Sequence, residues 1–210
     1  MASRLLYVMD PMCSWCWGFA PVIEALAEQA AAASVPLQIV VGGLRRDQVA
    51  VDAAARVRYL GYWQAVNAST GQLFDFERGL PEGLVYDTEP ACRALVTARN
   101  LHAPSAWTLL KLIQQAFYTE GADVTQASVL VQLAEQAGIP RIEFAEAFDS
   151  QAMEEATAAD FTWVQDLGIA GFPTLLAERD GQLALLTNGY QPLEVLAPLL
   201  GRWLERAAHA

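Results

Sequence analysis

An apolar run of strand length, Leu5-Leu6-Tyr7-Val8-Met9, is followed four residues later by Cys13-Ser14-Trp15-Cys16. Continuous apolarity of that length reads as a strand buried on both faces, which requires covering layers above and below it. The cysteines fall where a helix begins. From Ser14 to about Ala33, Phe19, Val22, Ile23, Leu26, Ala27 and Ala30 share one helical face, and Pro21 interrupts it by deleting a backbone hydrogen bond. Pro36 then leads into a second buried strand, Leu37-Gln38-Ile39-Val40-Val41, closed by Gly42-Gly43. A strand, a helix and a strand in that order form a parallel, right-handed unit.

Two cysteines separated by two residues at a helix N-terminus are placed for dithiol–disulfide chemistry. Unpaired N–H groups and the helix dipole favour the thiolate of the first, and the second lies near enough to close a ring. On this reading Cys13 is the attacking thiolate and Cys16 the resolving thiol. Zinc ligation and inert packing are the alternatives. Zinc takes four ligands, and the remaining soft ligands are Cys92 and His102, so no metal site is expected. Trp15, between the sulfurs, reads either as a contact for a partner polypeptide or flat ligand or as a surface aromatic folded over the loop.

The chain of 210 residues is long enough to bury a full core without a disulfide staple, which leaves its three cysteines for chemistry. The formal charge is −11, and Lys111 is the one lysine. Such a surface repels phosphate backbones and anionic lipid, so neither nucleic acid nor membrane is an expected partner. No apolar run of about 18 residues occurs, and residues 1–9 lack the length and cleavage site of a signal peptide. A soluble, cytoplasmic protein is expected. His209, next to the last residue, and His102 belong to no hydrolase motif.

From about Asp47 to Gly168 the pattern is helical, with no convincing strand. Leu109, Leu112, Ile113, Ala116 and Phe117 keep one face, as do Val129, Leu130, Leu133, Ala134 and Ala137 behind Thr125, the expected N-cap. Residues 71–83 read as a loop and 150–168 as a helix. Strands return at Thr174–Glu178 and Leu183–Thr187, joined by Arg179-Asp180-Gly181-Gln182, a tight-turn signal. A last helix carries Leu196, Leu199, Leu200, Trp203 and Leu204. The fold class is therefore α/β, with the order β-α-β, an all-helical insertion, then β-β-α. Residues 1–46 and 169–210 form the two parts of the α/β unit around an inserted helical domain at 47–168.

That order, Asp10-Pro11-Met12-Cys13-Ser14-Trp15-Cys16-Trp17-Gly18, and Gly171-Phe172-Pro173-Thr174 before the third strand resemble the DsbA-like thioredoxin family. The likeness is to its leaderless cytosolic branch, around FrnE and the 2-hydroxychromene-2-carboxylate isomerases. The resemblance implies a thioredoxin-like fold and a thiol–disulfide oxidoreductase or disulfide isomerase using Cys13 and Cys16. It implies a cis-proline at Pro173 lying against the cysteines, with the Phe172 backbone free to pair with an extended substrate. A comparable helix start in related isomerases and transferases faces the active site, which brings Cys92 and Arg93 toward Cys13 as a third thiol and a steadying cation. Packing is the other reading of Cys92.

Many thioredoxin-like proteins carry a buried carboxylate six residues before the first cysteine; here that position is Tyr7. The nearest acid, Asp10, either raises the thiolate's pKa or caps the turn. Arg45 and Arg46, after Gly42-Gly43, read as solvated loop residues, with a place bordering the same cleft as the other reading. Substrates would be disulfide-containing proteins or small thiols. No bound cofactor is implied, glutathione is allowed as co-substrate, and a homodimer is open. The alternatives are a glutathione-dependent isomerase or transferase acting on small aromatic compounds, and a non-catalytic interaction module.

Overall fold

The computed structural model describes residues 3–208; His209 lies outside them. Strand β1 (Ser3–Met9) enters helix α1 (Ser14–Ala32), which returns through β2 (Leu37–Val41). After the central segment come β5 (Thr174–Arg179), β6 (Gln182–Asn188) and α8 (Leu193–Ala208). The sheet order is β2-β1-β5-β6, with β1 parallel to β2 and antiparallel to β5. The β5–β6 hairpin turns at Asp180 and Gly181, both at positive φ, as two-residue turns that match strand twist require.

Burial on both faces of β1 is realised by alternation. Leu5, Tyr7 and Met9 join the large core with α1 and α8, whereas Leu6 and Val8 pack with Val40, Val164 and Leu176 on the other face. Helix α7 (Gln151–Asp166) covers that second face, with the Ser150 side chain as its N-cap acceptor. An ion pair closes the edge of β2. Asp160 accepts from Val41 N at 3.0 Å, and Arg99 bonds both Asp160 and the Ile39 carbonyl at 2.8 Å. Those are strand groups that would otherwise face solvent unpaired.

Between β2 and β5 lie β3 (Arg46–Ala50), α2 (Ala53–Thr70), β4 (Val85–Asp87), α3 (Glu89–Leu101), α4 (Ala103–Thr119), α5 (Ala127–Gln136), α6 (Arg141–Phe148) and α7. The segment is thus helical with one exception that the sequence pattern missed. Strands β3 and β4 pair antiparallel across the expected boundary at residue 46. Both are short and β3 is largely exposed, so neither carries the apolar alternation that marks a strand. Thr125 is likewise not the cap of α5. Gln126 takes that place, and Asp123 holds the Thr125 N–H and hydroxyl.

Pro21 has a specific local consequence. Its missing N–H leaves the Trp17 carbonyl without a helical partner, and Gln72 Nε2 donates to that carbonyl at 3.0 Å. The adjacent Leu73 carbonyl accepts from Trp17 Nε1 at 2.8 Å. The loop after α2 is therefore latched onto the break in α1. Gln72→Leu should lower unfolding free energy by about 1 kcal/mol in urea titrations, the usual net value of one such bond.

Candidate active site

Cys13 is the N-cap residue of α1, in extended conformation. Its N–H donates to the Asp10 carbonyl at 3.1 Å, and its own carbonyl accepts from Trp17 N at 3.1 Å. The chain is thus turned so that one sulfur lies at the helix mouth and the other one turn inside. Cys13 retains 6% exposure and Cys16 none, and the two approach to 3.4 Å as free cysteines. Burial first, then the neighbouring Cys13, pushes the Cys16 thiol well up, so Cys16 remains protonated at neutral pH.

The bond between Phe172 and Pro173 is cis. Phe172 presents its carbonyl to Cys13, whose S–H donates to it at 3.7 Å. The Phe172 ring lies over Gly42, where a Cβ would come within 2.0 Å of it. Glycine at 42 is what admits the ring.

Cys13, Trp15 and Phe172 line a cleft of about 330 Å³. Its far wall comes from the central segment: Arg45, Tyr59, Tyr62 and Tyr86. Trp15 is half-buried and rests against Tyr190 with ring centroids 6.0 Å apart. Of its two readings, Arg45 takes the cleft rather than the solvated loop. Its guanidinium sits 4.6 Å from the Tyr59 ring centroid and donates to the Tyr59 hydroxyl at 2.9 Å, while Asp47 lies 3.6 Å away. Arg46 does project outward, pairing with Asp87. The aromatic wall had a faint signal in the sequence, since Tyr59 and Trp63 are one helical turn apart on α2. For Arg45 the only signal was its place after Gly42-Gly43, which Arg46 shares, because the partners that decide its fate lie on α2 and β4.

Cys92 and Arg93 do not join this cleft. Arg93 pairs with Glu89 at 3.0 Å, donates to the Phe148 carbonyl at 3.0 Å and covers the Phe148 ring. These bonds hold α3 to α6 and α7, away from Cys13. Cys92, fully buried, donates its S–H to Asp10 Oδ2 at 3.3 Å. Burial, then the adjacent Asp10, pushes its thiol well up.

Asp10 does more than cap the turn. Oδ1 accepts from Met12 N at 2.8 Å, and Oδ2 accepts from Leu44 N at 2.7 Å and Thr88 Oγ1 at 2.6 Å, besides Cys92. Burial raises its pKa, and these hydrogen bonds oppose the rise. Thr88 precedes α3 without capping it, because its hydroxyl is turned to Asp10. Tyr86 completes the seam by donating to the Met12 carbonyl at 2.7 Å.

The DSBA-like thioredoxin domain family matches residues 4–201 of this chain. The chain belongs to that family. It is 40% identical to a candidate protein disulfide isomerase from Nitrosomonas europaea, over 98% of this chain and 99% of that one, with a TM-score of 0.90. It is 29% identical to the cytosolic disulfide reductase DsbM from Pseudomonas aeruginosa, over 95% and 98%, with a TM-score of 0.79. That reductase has also been solved with GSH. A curated relative, the ClpXP adapter protein SpxH of Halalkalibacterium halodurans, is 21% identical over 199 residues. The match takes in 91% of this chain, which spans 64% of that relative's length. The DsbA-like fold and these likenesses make the chain a thiol–disulfide oxidoreductase. No helix among the described residues is long and apolar enough to cross a membrane.

Two outcomes follow from the geometry. One equivalent of iodoacetamide should enter the native reduced chain quickly and at Cys13, with Cys16 and Cys92 alkylated only after unfolding; intact mass and peptide mapping read this. Asp10→Ala strands four buried donors and should cost about 3 kcal/mol of stability in chemical denaturation.

Proposed function

We propose that Cys13 and Cys16 are the redox pair and that the chain carries out reversible exchange with disulfide substrates, in the reductase or isomerase direction. The carrying observation is the pair itself: two free cysteines that approach to 3.4 Å, one at the mouth of a cleft and one sealed behind it. The Cys13 thiolate attacks a substrate disulfide and forms a mixed disulfide while the first substrate thiolate leaves. Cys16 then attacks Cys13, releasing the second thiolate, so the substrate gains the two electrons that the dithiol loses. Isomerisation uses the same first step, with Cys13 released by a substrate thiol.

Trp15, Phe172 and Pro173 are the substrate-facing residues in this reading, with the Phe172 carbonyl as acceptor for an extended partner. The cleft also suits a small thiol. Its aromatic walls would take the apolar part, and Arg45, at its rim, would take a carboxylate. Glutathione is such a molecule, and the likeness to DsbM supports it as co-substrate. The same likeness supports a cytosolic setting, where the thiol pool keeps a dithiol reduced. Asp10 close behind Cys16 counts against a strong oxidant, since a carboxylate opposes a nearby thiolate. No resident cofactor or metal enters these steps. Disulfide-bearing proteins and small thiols are the partners, and association into a homodimer belongs to this proposal as well.

A second reading, glutathione-dependent isomerisation or transfer on small aromatic compounds, draws on the tyrosine-lined wall of the cleft. Such chemistry has no need of Cys16.

Equilibration in glutathione redox buffers, read by alkylation and intact mass, tests the proposal. The expected result is one Cys13–Cys16 disulfide, with a two-electron transition below roughly −240 mV for the reductase direction or above roughly −180 mV for the isomerase direction. Cys13→Ser should abolish exchange, and Cys16→Ser should trap the mixed disulfide. A protein that only collects glutathione at Cys13, with activity surviving in Cys16→Ser, would establish the second reading instead.

A further inference from the structure

A second cavity, of about 270 Å³, lies between α1 and α4 and shares no lining residue with the substrate cleft. The indoles of Trp17 and Trp107 and the ring of Pro21 supply apolar wall. Trp17 is fixed in place, with its ring stacked on Tyr118 and its Nε1–H given to the Leu73 carbonyl at 2.8 Å. What it offers the cavity is ring surface.

The polar groups of the lining are not equivalent. Gln72 donates to the Trp17 carbonyl at 3.0 Å, and Gln115 donates to Glu120 at 3.0 Å. Gln114 is 2% exposed, and its Nε2 has no hydrogen-bond partner among the described residues. A buried amide donor without an acceptor is costly, and Gln114 lines the one space from which an acceptor is able to come. Glu24 of α1 and Lys111 of α4 are the charged residues of the lining, and they pair with each other. An anion entering here would have to displace Glu24 from the chain's one lysine, in a protein whose formal charge is −11. A cation would have to displace Lys111 from Glu24. Both lose to a neutral molecule, which leaves the pair intact.

We propose that the α1–α4 cavity is a binding site for a small neutral aromatic compound bearing a carbonyl group. Its ring lies against Trp17 and Trp107, and its carbonyl oxygen accepts from Gln114 Nε2. Apolar ring walls with one convergent donor are the usual make-up of a preformed small-molecule site, and the volume admits one small ring system rather than a peptide. A ligand held here touches both the helix that bears the cysteines and the helical cover. It takes no part in sulfur chemistry, so the assignment stands independently of the redox reading.

Indole-3-carboxamide and indole are the probes, titrated into the reduced full-length protein by isothermal calorimetry. The first carries ring and carbonyl, the second the ring alone. The carboxamide should bind at one site, about fivefold more tightly than indole, the effect of one neutral hydrogen bond. Gln114→Leu should remove that advantage and leave indole binding unchanged. Trp107→Ala, which deletes a wall, should weaken both probes about tenfold. Carbamidomethylation of Cys13, which blocks the substrate cleft, should change neither affinity. Failure of both probes to bind the parent protein up to millimolar concentration leaves the cavity to water and overturns the proposal. Loss of binding on alkylation of Cys13 also overturns it, because the probes then sit in the substrate cleft. Equal weakening of both probes in Gln114→Leu, or affinities unmoved by either substitution, overturns it as well.

Discussion

A carboxylate placed beyond the reach of water must find donors, and Asp10 finds four in three separate parts of the chain. Met12 lies in the turn that carries the cysteines, Leu44 in the connection after β2, and Thr88 and Cys92 at the start of α3. One side chain thus pins the catalytic turn, the thioredoxin sheet and the helical cover to a common point. Desolvation makes the arrangement all-or-nothing, since a buried acid that is only partly satisfied costs more than an apolar residue would. The same joint takes in Cys92, whose buried sulfur serves as one of its donors.

The cover is held by aromatic packing as well as by this joint. Trp63 of α2 lies within 5.7 Å of Phe74, Phe117 and Tyr118, centroid to centroid, and Trp17 of α1 stacks on Tyr118. On the cleft side, Tyr59 meets Tyr86, which meets Phe117. Rings in contact from the catalytic helix to α2 and α4 bury large areas with few rotatable bonds, so the cleft wall is stiff. Gly18 permits this closeness: a Cβ there would fall 2.6 Å from Val66.

Local features carried much of this architecture into the sequence. Leu5–Met9, the Cys13–Cys16 spacing, the Asp180-Gly181 turn and Phe172-Pro173 each act through neighbours a few residues away, so their patterns are visible in one dimension. What was not visible depends on distant partners. Arg45 is drawn into the cleft by Tyr59 and Tyr86. Arg93 is drawn away from it by Glu89, Glu154 and Phe148. Both are arginines beside an expected site, and nothing in their local sequence distinguishes the two fates. The β3–β4 ribbon was hidden for a related reason, since a short two-stranded ladder with β3 largely exposed rests on backbone bonds that need no apolar code.

The break at Pro21 couples two distant positions. The Trp17 carbonyl that this proline leaves open is satisfied from residue 72, some fifty positions away and outside the thioredoxin sheet. Any residue with an N–H at position 21 would restore the helical bond and remove the demand on position 72. Proline at one place and a side-chain donor at the other are therefore energetically one unit: what either contributes depends on the other, and so does the tether that joins the cover to the helix bearing the cysteines.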